Sequence, residues 1–370
     1  RQIHDLEGNE SYFAYNIDNK AIHSISRGEF NKTLLELAEA LPNVTITFDA
    51  FCEHVDFNTG TVHMKQGEQL NAYSADLIVG ADGTGSSVRG ALMKQPRFNY
   101  SQHFIDSGYK EVHIPAGSNG EPQLNIDALH IWPRREFMLM GLANTDNGFT
   151  GTVFAPFGGE YGLDHLNTGA DGMRYFEEYF KDAIPLIPNL EEQWESNPTS
   201  ALACIRCEPY HWGTNTMLIG DAAHATVPFY GEGMNGSLED VRVFLELLDE
   251  HGDSDMKKVL EIYTEQRVPA GNALVDLSLR NFIEMRDLVA DPSFQLRKKI
   301  ERKVQANHPN KWTPLYTLVK FTNIPYHEAK AEGERHDRIM EEILAMEGIE
   351  EHWESDEVEQ EVLRLFESVR

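Results

Sequence analysis

Apolar residues recur along this chain at two spacings, and the switches between them outline the architecture. Residues 31–41 (NKTLLELAEAL) place leucine and alanine at helical intervals, and residues 44–48 (VTITF) alternate as a strand does. Residues 75–83 (ADLIVGADG) form an apolar run that ends in a glycine turn, the pattern of a buried strand. Residues 86–93 (SSVRGALM) then start a helix with serine at its cap. Between 98 and 157 the texture changes to short alternating runs: LHIW at 129–132, FMLM at 137–140 and TGTVF at 150–154. Turns rich in Gly, Pro and Asn separate them, which predicts an antiparallel sheet. Residues 171–180 read as a helix crossing that sheet, 217–220 (MLIG) as a strand of the first texture, and most of the chain beyond 255 as helix.

The alternation predicts an α/β fold: a Rossmann-like lobe interrupted by an inserted antiparallel sheet and followed by a helical region. The expected divisions are 1–97 and 206–290 for the two parts of the lobe, 98–205 for the sheet, and 291–370 for the helices. The acidic stretch 347–359 is expected to be a solvated face or a frayed tail.

Composition narrows the function. The 370 residues carry 32 Lys and Arg against 60 Asp and Glu, a formal charge of −28. Such a surface repels phosphate backbones and argues against nucleic acid as a partner. The three cysteines, Cys52, Cys204 and Cys207, are too few and too oddly numbered for a disulfide framework, and a reducing cytoplasm is the expected setting. No run approaches the roughly 18 apolar residues of a membrane helix. The first residue is Arg1, with neither Met nor a signal-type apolar segment, so the chain is expected to lack its natural N-terminus.

Two glycine turns carry the chemistry. In the first, the strand ending at Gly80 runs into Asp82-Gly83 and then the serine-capped helix bearing Ser87 and Arg89. Glycine lets a ligand approach the backbone, and a helix N-terminus offers N–H groups to an anion. In the second, residues 220–225 (GDAAHA) place Asp221 just past a strand, where a carboxylate accepts from sugar-type hydroxyls. Residues 228–236 (PFYGEGMNG) then aim another helix N-terminus at whatever Asp221 holds, a positive pole suited to a ring that becomes anionic on reduction. Each turn alone is a weak signal; in this order, with a sheet between Gly80 and Gly220, they form a strong one.

The two turns resemble the second and third FAD motifs of the group A flavoprotein aromatic hydroxylases. More narrowly, the chain resembles the kynurenine 3-monooxygenase family through residues 1–4 (RQIH), 92–101 (LMKQPRFNYS), 129–134 (LHIWPR), 182–187 (DAIPLI), 220–235, 281–286 (NFIEMR) and 314–317 (PLYT). The resemblance runs to about residue 329. It implies FAD as cofactor, with NADPH, O2 and L-kynurenine as small-molecule partners. It also implies a substrate carboxylate held by Arg1, Tyr15, Asn281 and Tyr316. Leu129, Met140, Phe154, Phe229, Glu284 and Met285 would line the aromatic part of the pocket. Arg27, Cys52, Asp82, Gly83, Ser87, Asp221, Met234 and Asn235 would contact the cofactor. No catalytic base is implied, because the amino group of the substrate ring activates it, and His224 is expected to be structural.

The chain also departs from that pattern. Glu232 stands between Gly231 and Gly233 where the family usually has glutamine, and its charge would either lower the potential of a reduced flavin or face solvent. No hydrophobic C-terminal anchor is visible, so the soluble, bacterial type is expected. The first FAD motif, G-x-G-x-x-G, does not occur. The resemblance places it upstream of Arg1, so this chain alone is expected to bind FAD poorly. Two rival readings remain to be tested: a hydroxylase of salicylate-like acids, which would lose the Arg1, Tyr15, Asn281 and Tyr316 set, and a zinc-binding module built on Cys204, Cys207 and His211.

Overall fold

The structure, a computed structural model, describes residues 1–14, 20–288 and 291–368. The chain opens with two short strands, β1 (Gln2–His4) and β2 (Glu10–Tyr12). Helix α1 (Arg27–Glu39) begins earlier than the apolar spacing indicates, because Ser26 accepts from the Glu29 N–H and caps it. No strand forms over residues 44–48. Alternation alone does not make a strand: its backbone groups need a neighbour, and among the described residues no strand pairs with it. Three strands that the sequence analysis did not anticipate follow as a meander: β3 (Ala50–Asp56), β4 (Thr61–Gln66) and β5 (Gln69–Ser74).

Strand β6 (Ile78–Gly80) and helix α2 (Ser87–Leu92) match the expected strand, turn and capped helix. The inserted sheet is then built from β7 (Asn99–Ile114), β8 (His130–Arg134), β9 (Phe137–Ala143) and β10 (Phe149–Pro156). Helices α3 (Gly169–Tyr179) and α4 (Leu190–Ser196) cross it, and β11 (Ser200–Glu208) returns to its edge, running through the division at 205. The full order is β11-β7-β10-β9-β8-β1-β2, with β1 pairing parallel to β8 and the other pairs antiparallel. The first residues of the chain are therefore part of the pocket sheet rather than of the lobe.

One face of that sheet is dry and aromatic. Trp132, Phe137 and Phe149 from the strands meet Tyr175, Phe176 and Trp194 from α3 and α4. A Cβ on Gly172 would overlap the Trp194 indole, so Gly172→Ala is expected to destabilise the protein by about 1–3 kcal/mol in urea unfolding. An unchanged midpoint would mean that α4 moves aside without strain.

The lobe closes through β12 (His211–Trp212) and β13 (Thr216–Leu218), the latter parallel to β6. After α5 (Asp221–His224) come α6 (Gly233–His251), α7 (Met256–Ile283) and a single π-helical turn over Glu284–Leu288. The remaining elements are α8 (Pro292–Asn307), α9 (Leu315–Phe321), α10 (Tyr326–Leu344), α11 (Ile349–His352) and α12 (Asp356–Ser368). The acidic stretch is not frayed. Val358, Val362 and Leu365 bury one side of α12 against Ile300, Val304 and Ile339, and Glu359 accepts from Asn307 and His308. The acidic residues occupy the outer face of an amphipathic helix. Among the described residues, no helix is long and apolar enough to cross a membrane.

Candidate active site

The first glycine turn is held from within. Asp82 accepts from Ser86 Oγ at 2.5 Å, the Ser87 N–H at 2.7 Å and the Val88 N–H at 3.1 Å. The expectation that this helix N-terminus is open to an anion is therefore corrected: Asp82 already occupies it, and Ser86 Oγ takes the Arg89 N–H. Gly83, at φ +74°, and Gly85 look onto open space, so a ligand can pass along the backbone of the turn. Cys52 lies near enough that, after burial, the Asp82 charge helps to raise its thiol, which therefore stays neutral.

Arg89, to which no motif assigns a role, joins the two turns. Buried in the lobe, it donates to the Thr84 and Ala222 carbonyls, and its guanidinium lies 5.2 Å from the Tyr100 ring centroid. A serine-capped helix bearing an arginine was the visible signal; the carbonyl it reaches is 133 residues away.

The second turn differs in kind. Asp221 keeps surface open to solvent, but crowding by the chain raises its carboxyl, with His224 and then exposed Arg27 pulling it back. No described residue hydrogen-bonds to it. Behind it, buried His224 donates through Nε2 to Asp240 at 2.6 Å, the structural place expected for it. At α6 the cap residue Glu232 makes no side-chain cap, so the N–H groups of Gly233, Met234 and Asn235 have no intrahelical partner. Met234 and Asn235 are exposed there. An open helix N-terminus, a carboxylate lacking donors and glycines facing free space fit FAD: hydroxyls for Asp221, an anionic ring edge for α6, and a close approach at Gly83.

Beside this cleft the sheet meets α7. Phe154 packs on Phe229 with centroids 4.9 Å apart, and Phe229 on Phe282 at 4.4 Å. Leu129, Met140 and Met285 complete the same apolar cluster. Asn281, in the last turn of α7, donates through Nδ2 to the Phe229 carbonyl at 2.7 Å and to Met285 Sδ at 3.4 Å, leaving Oδ1 to accept. A neighbouring pocket is lined by Tyr230, Asn281, Glu284 and Tyr316. Glu284 pairs with Arg280 at 2.9 Å, and Arg280 grips Asp337 through both nitrogens of its fork.

Arg1 is fixed by its neighbours: its backbone nitrogen donates to the Phe13 carbonyl, and the Gln2 N–H donates to that of Leu129. Its guanidinium lies 4.9 Å from the Tyr316 ring centroid. Burial pushes the Tyr316 phenol up, with Arg1 drawing it partly back, so the hydroxyl stays a donor at neutral pH. Of the expected substrate residues, Tyr15 lies outside the described residues; the other nine come together around α7 and the sheet.

The zinc reading fails. Cys204 and Cys207 are buried on β11, Cys207 donates to the Ala223 carbonyl, and burial pushes its thiol up to about 12. Among the described residues no group of three metal-binding side chains exists.

A family model described as "FAD binding domain" matches residues 10–278. The chain is also similar in fold to a solved structure of 2-methyl-3-hydroxypyridine-5-carboxylic acid oxygenase, with a TM-score of 0.58 and 20% identity over 72% of this chain and 70% of that one. The family model and the relatives below make the chain an FAD-dependent hydroxylase, and the solved structure shows the same fold. The particular relatives are closer. The kynurenine 3-monooxygenase of Christiangramia forsetii is 43% identical over 369 residues, covering 99% of this chain and 82% of that protein. That of Dictyostelium discoideum is 37% identical over 356 residues, covering 93% and 77%. The chain belongs to the kynurenine 3-monooxygenase family.

Proposed function

We propose that this protein hydroxylates L-kynurenine at ring position 3. One oxygen atom of O2 enters the ring, the other leaves as water, and NADPH supplies the electron pair. Bound FAD supplies the chemistry of accepting hydride and activating oxygen. The chain's own residues bind, orient and keep the pocket dry. The Arg1 fork would take the substrate carboxylate, with the Tyr316 hydroxyl donating to the same group. Asn281, expected at the carboxylate, has its Nδ2 committed to the Phe229 carbonyl and Met285 Sδ, so its Oδ1 would instead accept from the α-ammonium. The apolar walls of Phe154, Phe229, Leu129, Met140 and Met285 would hold the aromatic ring away from water. No side chain is assigned as a base, since the ring's amino group releases the needed electron density. Apart from β1 and β2, which join the sheet, the residues up to 97 together with 206–290 would serve the cofactor, and 98–205 with β1 would form the pocket floor.

The observation that carries this reading is the pairing of Arg1 with Tyr316 beside an apolar pocket and the open end of α6. An acid without an amino-acid head group would leave Asn281 Oδ1 unmatched. L-Kynurenine, and not salicylate, is expected to stimulate NADPH oxidation by the FAD-loaded enzyme, with a product 16 mass units heavier. Hydroxylated salicylate in that assay would overturn the assignment.

A further inference from the structure

Glu232 is 3% exposed, so the solvent-facing alternative for it is excluded. A buried carboxylate is costly unless donors surround it. Here they do. Lys320 Nζ lies 2.5 Å from Oε1, the Tyr326 hydroxyl donates to Oε2 at 2.9 Å, and Asn235 Nδ2 donates to Oε2 at 3.1 Å. Lys320 also donates to the Gly231 carbonyl at 3.3 Å, and its own side chain is 8% exposed. Lys320 thus ties two consecutive residues of the glycine loop, Gly231 and Glu232, to α9.

The same helix carries Tyr316, four residues before Lys320 and so on the same face. Tyr230, directly before Gly231, stacks on Tyr316 at 5.7 Å and 20° and receives the Lys320 ammonium 5.8 Å from its centroid. A continuous set of contacts therefore runs from the open N-terminus of α6 through Glu232, Lys320 and Tyr230 to Tyr316 and Arg1.

We propose that Glu232 and Lys320 are positioning residues: their buried ion pair holds the substrate head-group site in register with the flavin site, and each cancels the other's charge beside the cofactor. This rests on the kynurenine reading. A second role follows from the charge balance. Lysine removal alone would leave an uncompensated carboxylate near the flavin and disfavour its reduced, anionic form. Removing both charges would restore neutrality but not the tether.

The test uses the FAD-loaded enzyme and reads the Kd for L-kynurenine from the flavin spectrum, kcat, and the midpoint potential of the bound flavin. Lys320→Met is expected to raise Kd by about tenfold or more while kcat at saturation changes less than about threefold, and to lower the potential. Glu232→Gln added to Lys320→Met is expected to return the potential to that of the wild type and leave Kd raised. A purely structural role would shift the melting temperature without this split or this reversal. Wild-type Kd and potential in a folded Lys320→Met enzyme would overturn the proposal. If that variant does not fold, the neutral double variant decides, and a wild-type Kd in it would overturn the proposal. A wild-type enzyme that does not bind kynurenine would sink the functional reading together with this one; a wild type that binds it, with variants that bind it equally well, would sink only this one.

Discussion

Arg1→Ala is expected to weaken L-kynurenine binding by at least about a hundredfold, since hydrogen bonds to a charged partner contribute roughly 1.5–3 kcal/mol and a planar fork makes two of them. The loss should fall on Kd and KM more than on kcat, because the head group is held equally in the ground and transition states. Arg1→Lys keeps a charge but loses the fork, and should lie between the two. Arg1 does not act alone: β1 is seated by the Gln2 to Leu129 hydrogen bond, and Leu129 belongs to the apolar cluster, so in the proposed binding mode head group and ring would be gripped from adjacent positions of one sheet. Titration of the flavin spectrum with kynurenine measures the effect. An unchanged Kd would remove the main support for the substrate assignment.

What could be read beforehand and what could not divide along physical lines. The turn at Asp82-Gly83, its serine-capped helix and the strands of the inserted sheet rest on local rules, periodicity and capping, and they form where expected. Residues 44–48 show the limit of such rules, since an alternating pattern needs a neighbouring strand to become one. The half-exposed meander β3 to β5 escaped for the opposite reason: Val55 is the one fully buried residue on its strands, so no strong apolar contrast marks them. For the acidic stretch the charge pattern left two alternatives, a solvated face or a frayed tail, and the apolar side chains of Val358, Val362 and Leu365, which dock α12, decide for the first.

Site residues show the same division. The aromatic wall was reached through resemblance and is gathered in one cluster, but the partners that stabilise the glycine loop at Glu232 were invisible. Lys320 and Tyr326 stand 88 and 94 positions from Glu232, and no spacing rule links them. Without them, Glu232 reads only as an isolated charge. Arg89 is similar: its motif was visible, while the Ala222 carbonyl that gives it a purpose belongs to the other turn.

The second large effect is expected at Asp240, a residue outside every motif considered. It is fully buried, at 0% exposure, and joins three elements. Oδ2 accepts from the Gly220 N–H at 2.8 Å and from His224 Nε2 at 2.6 Å, and Oδ1 accepts from Arg267 Nε at 2.6 Å. It thereby fixes the turn that presents Asp221, the helix behind it and the middle of α7. Burial alone would raise the Asp240 carboxyl, but His224 and Arg267, with the Gly220 N–H, hold it below the usual carboxylate range. Asp240→Ala removes the closest partner of the buried Arg267 guanidinium, leaving it Glu239 at 3.2 Å and the Gly236 carbonyl, strips His224 and the Gly220 N–H of their acceptor, and is expected to cost about 3–5 kcal/mol in urea unfolding. The exposed Asp249→Ala on the same helix should change stability by less than about 0.5 kcal/mol. The pH dependence has a definite sign. A carboxyl depressed in the folded state adds stability above its unfolded pKa and loses it as pH falls through the lower folded value. The wild type should therefore lose stability on acidification by a component that Asp240→Asn lacks, and unfolding midpoints that fall in parallel for both proteins would show that Asp240 is not the charge holding the flavin turn.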